Sequence, residues 1–257
     1  MNITLPHLPK RPSSPRKDGI TMVMDKGLSL REAENVLDAS GEFIDFVKLG
    51  FGTSVITKNL LDKIKLYKQA NIKTYFGGTL FEAFIVRNMF DEYVAYLDKF
   101  KVDAVEVSDG SITIKHDKKC EYISKLAKNY TVLSEVGSKE EGVIIHPGKW
   151  IKMMNTELEA GSWKVIAESR ESGTVGIYRS SGHAHTSLVS KIVSSVKQEN
   201  IIWEAPQKSQ QVWWIKQLGA NVNLGNIAPH EALSLETLRL GLRGDTFFTF
   251  LPKEFKK

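Results

Sequence analysis

"KTYFGGTLFE", residues 73 to 82, carries a whole strand-to-helix transition in ten residues. Lys73 to Phe76 is β-rich, Gly77 and Gly78 make a turn, and Thr79 with Glu82 has the spacing of a capping box that opens a helix. The pattern predicts a strand over 73–79 and one helix over 81–100, "FEAFIVRNMFDEYVAYLDKF".

The same unit recurs in both directions. Further strands are expected at 20–27 ("ITMVMDKG"), 46–53, 104–110, 131–139, 164–172, 201–208 and 221–226. Amphipathic helix patterns such as "SLREAENVLDAS" and "KNLLDKIKLYKQA" lie between them, and Pro229 suits the first turn of the last one. Eight strand-then-helix units in about 240 residues is the size of a (β/α)8 TIM barrel. An open doubly wound sheet is the alternative, but no G-x-G-x-x-G follows the first strand. Pro6, Pro9, Pro12 and Pro15 mark an extended N-terminal arm over 1–18, ahead of one barrel domain over 19–257.

Composition narrows the function classes. The 257 residues are 42% hydrophobic and 25% charged, with a net charge of +5. The positive residues are dispersed, which fits a solvated surface or a field that attracts small anions. No basic stripe with stacking aromatics points to nucleic acid. No apolar run approaches the roughly 20 residues a membrane helix needs, and the N-terminus has no signal-peptide core. The single cysteine, Cys120, excludes an internal disulfide and fits the cytoplasm. Aromatics on the helices leave room for a homo-oligomer.

Barrel active sites sit at the C-terminal ends of the strands. Taking each strand's parity, the inward polar residues near those ends are Asp25, Lys48, Glu106 with Ser108, Glu135 with Lys139, Glu168 with Arg170, Glu204, and Asn221 with Asn223. Gly77 and Gly78 leave space. Charges are almost never buried unpaired, so this set is either a structural ion-pair network or a site for a divalent cation and an anionic substrate. Glu106, Glu135 and Glu168 offer the hard oxygen ligands that Mg2+ prefers. For a phosphate, the loops after the seventh and eighth strands supply Lys208 with Gln210 and Gln211, and Gly225 with Asn226.

Other residues draw bland readings. His183 and His185 suit a loop or a cap, for want of a third zinc ligand. Arg239 falls on a helix returning to the opposite face, with Arg243 and Gly244 as its terminus. Trp213 and Trp214 pack a helix against the barrel, and Cys120 carries no chemistry.

In order, "GITMVMDKGL", "VKLGFGTS", "GGTLFE", "VEVSDGS", "LSEVGSK", "AESRESG", "WEAPQKSQQVWWI" and "GANVNLGNI…LETLRLGLRGDT" resemble the phosphosulfolactate synthase family from about residue 11 to 252. The resemblance implies a (β/α)8 barrel and Mg2+-dependent addition of sulfite to phosphoenolpyruvate, giving (2R)-phospho-3-sulfolactate. In methanogens that is the first step of coenzyme M biosynthesis. It implies Lys139 as the acid that protonates C2. Lys48, Arg170 and Lys208, with Asn223, Gly225 and Asn226, would bind the anions. Glu106, Glu135 and Glu168 would hold the metal, with Asp25 and Glu204 as substitutes. Ser138 departs from the two lysines that relatives often show there. Ser169 stands where relatives commonly have alanine; it points outward by parity, with little effect expected. A Schiff-base aldolase using Lys139, and a non-catalytic barrel of a heat-stress-associated branch, are the competing readings.

Overall fold

The strands are short and buried on both faces, as a parallel sheet wrapped by helices requires. They are β1 (Thr21–Asp25), β2 (Phe46–Leu49), β3 (Lys73–Phe76), β4 (Ala104–Val107), β5 (Thr131–Val136), β6 (Lys164–Ala167), β7 (Ile201–Glu204) and β8 (Leu224–Ile227). The computed structural model describes residues 3–137 and 145–255. The sheet order is β3-β2-β1-β8-β7-β6-β5-β4, with parallel pairing throughout. The β3–β4 seam is bridged by Asp103, whose N–H donates to Thr74 O at 3.0 Å and whose Oδ2 accepts from Thr74 N at 3.0 Å. The expected (β/α)8 barrel is the observed fold.

Around it lie α1 (Leu30–Ser40), α2 (Leu60–Gln69), α3 (Gly78–Ile85), α4 (Phe90–Phe100), α5 (His116–Leu126), α6 (Pro147–Glu159), α7 (Thr186–Val193), α8 (Lys208–Leu218) and α9 (Ala232–Arg239). The single helix expected over 81–100 is therefore two, and the chain turns between them at Asn88 with φ 57°. The capping box of Thr79 and Glu82 does not form. Gly77 is the N-cap, without a side-chain cap bond, because the helix starts earlier than the box requires. Glu82 is drawn elsewhere. It accepts from the Ser108 hydroxyl and from the N–H groups of Gly110 and Ser111 at 3.1 and 2.8 Å, so it shapes the loop after β4.

Inside the barrel, Ile20, Met22, Phe46, Tyr75, Ala104, Leu133, Ile166 and Ile202 form an apolar plug. Burial of each large one contributes about 1.5–3 kcal/mol. Because strand side chains alternate, the next inward layer is found two residues further along each strand. From Phe46, Tyr75, Ala104, Leu133, Ile166 and Ile202 that step reaches Lys48, Gly77, Glu106, Glu135, Glu168 and Glu204. The plug is thus the floor of a polar mouth.

The opposite end is closed by arginines. Arg11 anchors the N-terminal segment, pairing with Glu236 at 2.8 Å and donating to Gly19 O at 3.0 Å. Arg16 pairs with Asp45 at 3.2 Å. Arg239, fully buried, donates to Ala220 O, Val222 O and Ile20 O at 2.6, 2.7 and 3.0 Å. Helix α9 ends there, with Gly241 at φ 69° just beyond, so the terminus falls before the expected Arg243–Gly244. Among the described residues no helix is long and apolar enough to cross a membrane.

Candidate active site

The mouth is a cavity of about 410 Å³ at the C-terminal ends of the strands, and Lys48 stands in it among carboxylates. Its Nζ lies 3.0 Å from Glu106, 3.6 Å from Glu204 and 3.7 Å from Glu135. All four residues are buried. Burial pushes the Lys48 amine down, but Glu106, Glu204, Glu135 and Glu168 outweigh it and hold the amine above its ordinary value. Lys48 is therefore a fixed cation. Burial drives the Glu106 carboxyl up, against the pull of Lys48. Glu204 is pushed up to about 7 by burial, with Glu135 and Glu106 adding to it and Lys48 opposing.

Glycines make this crowding possible. A Cβ on Gly77 would come within 3.2 Å of Lys48 Cε. One on Gly78 would strike the Ser108 side chain and come within 2.9 Å of Glu106 Oε1, which accepts the Gly78 N–H at 2.6 Å. Gly137, at φ 143°, lets β5 pass Glu168, whose Cβ lies 2.5 Å from where a side chain would begin.

Glu135, Glu168 and Glu204 each present an oxygen within 4.8 Å of the others, a group that could hold a metal ion. Glu204, expected only as a substitute, thus takes the place in the cluster given to Glu106, which is occupied by Lys48 and Gly78 N–H. Hard, buried oxygens from three adjacent strands suit a hard metal cation.

Phe51, Arg170 and Asn226 line the same mouth with φ of 54°, 55° and 55°. Left-handed backbone at non-glycine residues is strained and gathers at functional sites. Arg170 is exposed on the rim. Asn226 is buried, and its Oδ1 has no hydrogen-bond partner among the described residues.

Several expected residues lie elsewhere. Asp25 points to the helix side, paired with Lys63 at 2.8 Å and accepting from Tyr67 OH at 3.0 Å; Met24 faces the mouth instead. Asn223 is at the closed end, where it accepts from Ile20 N and donates to Glu199 O and Ile201 O. Asn221 is there too, bonded to Arg11 and to Lys10 O. Gly225 faces the plug, where a Cβ would be 2.5 Å from Met22 Cε. Lys208 begins α8 outside the lining of the mouth, half exposed and 3.2 Å from Asp245. Gln210 holds Gly173 O and Gln211 holds Ala205 O. Lys139 lies outside the described residues. Ser169 does not point idly outward: it is buried, its N–H donates to Glu204 Oε2 at 2.8 Å, and its hydroxyl is 3.3 Å from the same oxygen. His183 bonds Ser181, and His185 is the N-cap of α7 without a side-chain bond. Trp214 is buried and stacks on Trp203 at 4.1 Å.

Two residues near the site carry no sequence signal of their role. Tyr178 donates its hydroxyl to Glu204 O at 2.6 Å and accepts from Trp214 Nε1 at 2.6 Å. Lys119, in the first turn of α5, donates to Glu135 O at 2.6 Å. Both act on backbone carbonyls from the helix side, which residue type and spacing do not reveal.

The profile of the (2R)-phospho-3-sulfolactate synthase (ComA) family matches residues 9–245. The chain is 41% identical over 244 residues to the phosphosulfolactate synthase of Bacillus subtilis (strain 168), covering 94% of this chain and 97% of that protein. It is 43% identical over 235 residues to the phosphosulfolactate synthase of Methanocaldococcus jannaschii, covering 89% and 94%. Among solved structures, the YdjI aldolase from Escherichia coli K12 superposes with a TM-score of 0.56 at 10% identity, covering 91% of this chain and 89% of that one, a likeness of fold.

Proposed function

This chain belongs to the phosphosulfolactate synthase family, enzymes with carbon–sulfur lyase activity, and we propose that its mouth joins sulfite to phosphoenolpyruvate. The observation that carries the reading is Lys48 held as a cation among Glu106, Glu135 and Glu204, with Glu168 completing a metal-competent triad.

Glu135, Glu168 and Glu204 would hold Mg2+. When bound, the cation supplies Lewis-acid stabilisation of negative charge growing on the substrate carboxylate. Lys48 orients an anionic oxygen of the substrate, since its charge is fixed and its stem is packed. Arg170 offers a planar two-pronged donor to the phosphate at the rim, and Asn226 presents a side-chain amide from β8. Lys208 supports the phosphate if it exchanges Asp245 for it. The cations matter because three anions that repel one another must share one cavity.

The sulfur lone pair of sulfite forms the bond to C3. The C2–C3 π electrons move toward the carboxylate, and Lys139 delivers its Nζ proton to C2. The phosphate ester stays intact, and protonation from one face sets the configuration. The lone cysteine, Cys120, which is outside any disulfide, supports a reducing cytoplasmic setting.

Phosphorus NMR of the protein with phosphoenolpyruvate, sulfite and Mg2+ tests the reading. A new phosphate ester that requires both sulfite and metal is expected. Folded, metal-loaded protein that leaves phosphoenolpyruvate untouched refutes it.

A further inference from the structure

A lysine with no exposed surface lies behind the mouth, between β5 and its covering helices. Lys119 Nζ reaches Glu135 O at 2.6 Å, Asp109 Oδ1 at 2.9 Å and Glu157 Oε1 at 2.9 Å. An ammonium has three protons, so each acceptor takes one. The acceptors come from the end of β5, the loop after β4 and the last turn of α6. Burial pushes the Lys119 amine down, but Glu157 and Asp109 hold it above its ordinary value, so it stays charged. Glu157, also without exposed surface, takes a second bond from the His116 ring at 3.1 Å.

Stability alone does not account for such a pair. Apolar side chains of similar size in place of a buried ion pair are often neutral or stabilising. What an apolar residue cannot do is grip a carbonyl. The carbonyl gripped here belongs to Glu135, whose carboxylate faces the other way and stands 3.7 Å from Lys48. Strand β7 shows the same device, with Tyr178 OH on Glu204 O at 2.6 Å. The Glu168 carbonyl accepts from Ile177 N–H at 3.1 Å, so all three clustered carboxylates sit on residues whose carbonyls are held from outside the barrel, two of them by side chains.

We propose that Lys119, paired with Glu157, is a positioning residue for the reaction: it sets the height and rotation of Glu135 at the end of β5, and so the geometry in which the clustered carboxylates receive a divalent cation. The proposal rests on the role given to Glu135 above.

The double variant Lys119→Met/Glu157→Gln removes both fully buried charges and keeps their shapes, and the Asp109 carboxylate that loses its partner is partly exposed to solvent. Its melting temperature, kcat, KM and Mg2+ requirement are measured beside the wild type, and both crystal structures are solved. Expected are a melting temperature close to wild type, kcat lower by about 10–100-fold with a raised Mg2+ requirement, KM for phosphoenolpyruvate within about twofold, and the Glu135 carboxylate displaced from Lys48. A folded variant with Glu135 in its wild-type place and unchanged kcat overturns the proposal, even if its melting temperature falls. If the double variant does not fold, Lys119→Met/Glu157→Met, which replaces the buried pair by apolar side chains without a donor, is read by the same criteria. Wild type that shows no sulfite-dependent turnover sinks the reaction instead, and the displacement of Glu135 then decides the positioning role alone.

Discussion

Lys48 Nζ and Glu106 Oε1 meet at 3.0 Å although β3 lies between their strands. They can do so because Gly77 leaves β3 without a side chain at that height. The contact ties β2 to β4 across the β3–β4 seam, which Asp103 with Thr74 and Gly78 N–H with Glu106 also bridge. The same amine compensates three buried carboxylates.

Lys48→Met should therefore remove turnover, by about a hundredfold or more. It should also cost about 3–5 kcal/mol in the metal-free protein, because the carboxylates lose their cation. Urea denaturation with a chelator present measures the second effect. A variant as stable as wild type would show that the carboxylates do not depend on Lys48.

The Glu204 carboxyl, raised by burial to about 7 from an ordinary 4.5, fixes the sign of a pH effect. Between those values the folded protein keeps a proton that the unfolded chain has released. Its contribution is complete below about 4.5 and is lost as pH rises through about 7. Stability of the metal-free protein should fall across that window, and Glu204→Gln should flatten the fall. Divalent cations need the carboxylate form, so their affinity should weaken by up to about tenfold per pH unit below 7. Calorimetric titration with Mg2+ at several pH values checks the slope.

Arg170 is exposed on the rim, so its removal tests binding without disturbing the core. Arg170→Met should raise KM for phosphoenolpyruvate by about tenfold or more and leave the melting temperature in place. Steady-state kinetics with an unchanged KM would remove Arg170 from the substrate site.

At Gly78 a single methyl group should matter. Gly78→Ala brings a Cβ against Ser108 and within 2.9 Å of Glu106 Oε1, a clash that costs about 1–3 kcal/mol. Turnover should fall with it, because Glu106 must move away from Lys48. Full activity with normal stability would show that the loop yields instead.

Arg239 offers the opposite contrast, at the closed end of the barrel. Arg239→Met leaves the carbonyls of Ile20, Ala220 and Val222 without this donor and should cost about 3–5 kcal/mol. The kcat of the folded fraction should be unchanged. Loss of kcat in fully folded protein would mean that the closed end communicates with the mouth.

The architecture was legible because it is written in local terms. Each unit carries its own strand, glycine turn and amphipathic helix, and the count of units limits the fold. Parity along β2, β4, β5, β6 and β7 also led to Lys48, Glu106, Glu135, Glu168 and Glu204, because an inward polar residue interrupts an apolar face. It misled at β1. "ITMVMD" is apolar on both faces, so the sequence does not say which side Asp25 takes; Lys63 and Tyr67 of α2 draw it outward. At β8 the register shifts next to β1, which puts Asn226 in the mouth and leaves Asn223 at the closed end.

Glu82 shows where local signals stop. Its spacing from Thr79 reads as a cap, yet the loop after β4 offers it three donors, and that contact spans 26 residues or more. The sequence by itself determined the barrel, the ring of inward charges and the family, since periodicity and ordered motifs survive without knowledge of neighbours. Only the tertiary structure decided which carboxylates converge, which cation lies among them, and that Lys119 and Tyr178 grip the strand ends from behind. Those outcomes depend on contacts between residues far apart in the chain and on bonds to backbone carbonyls, which every residue carries and no residue type announces.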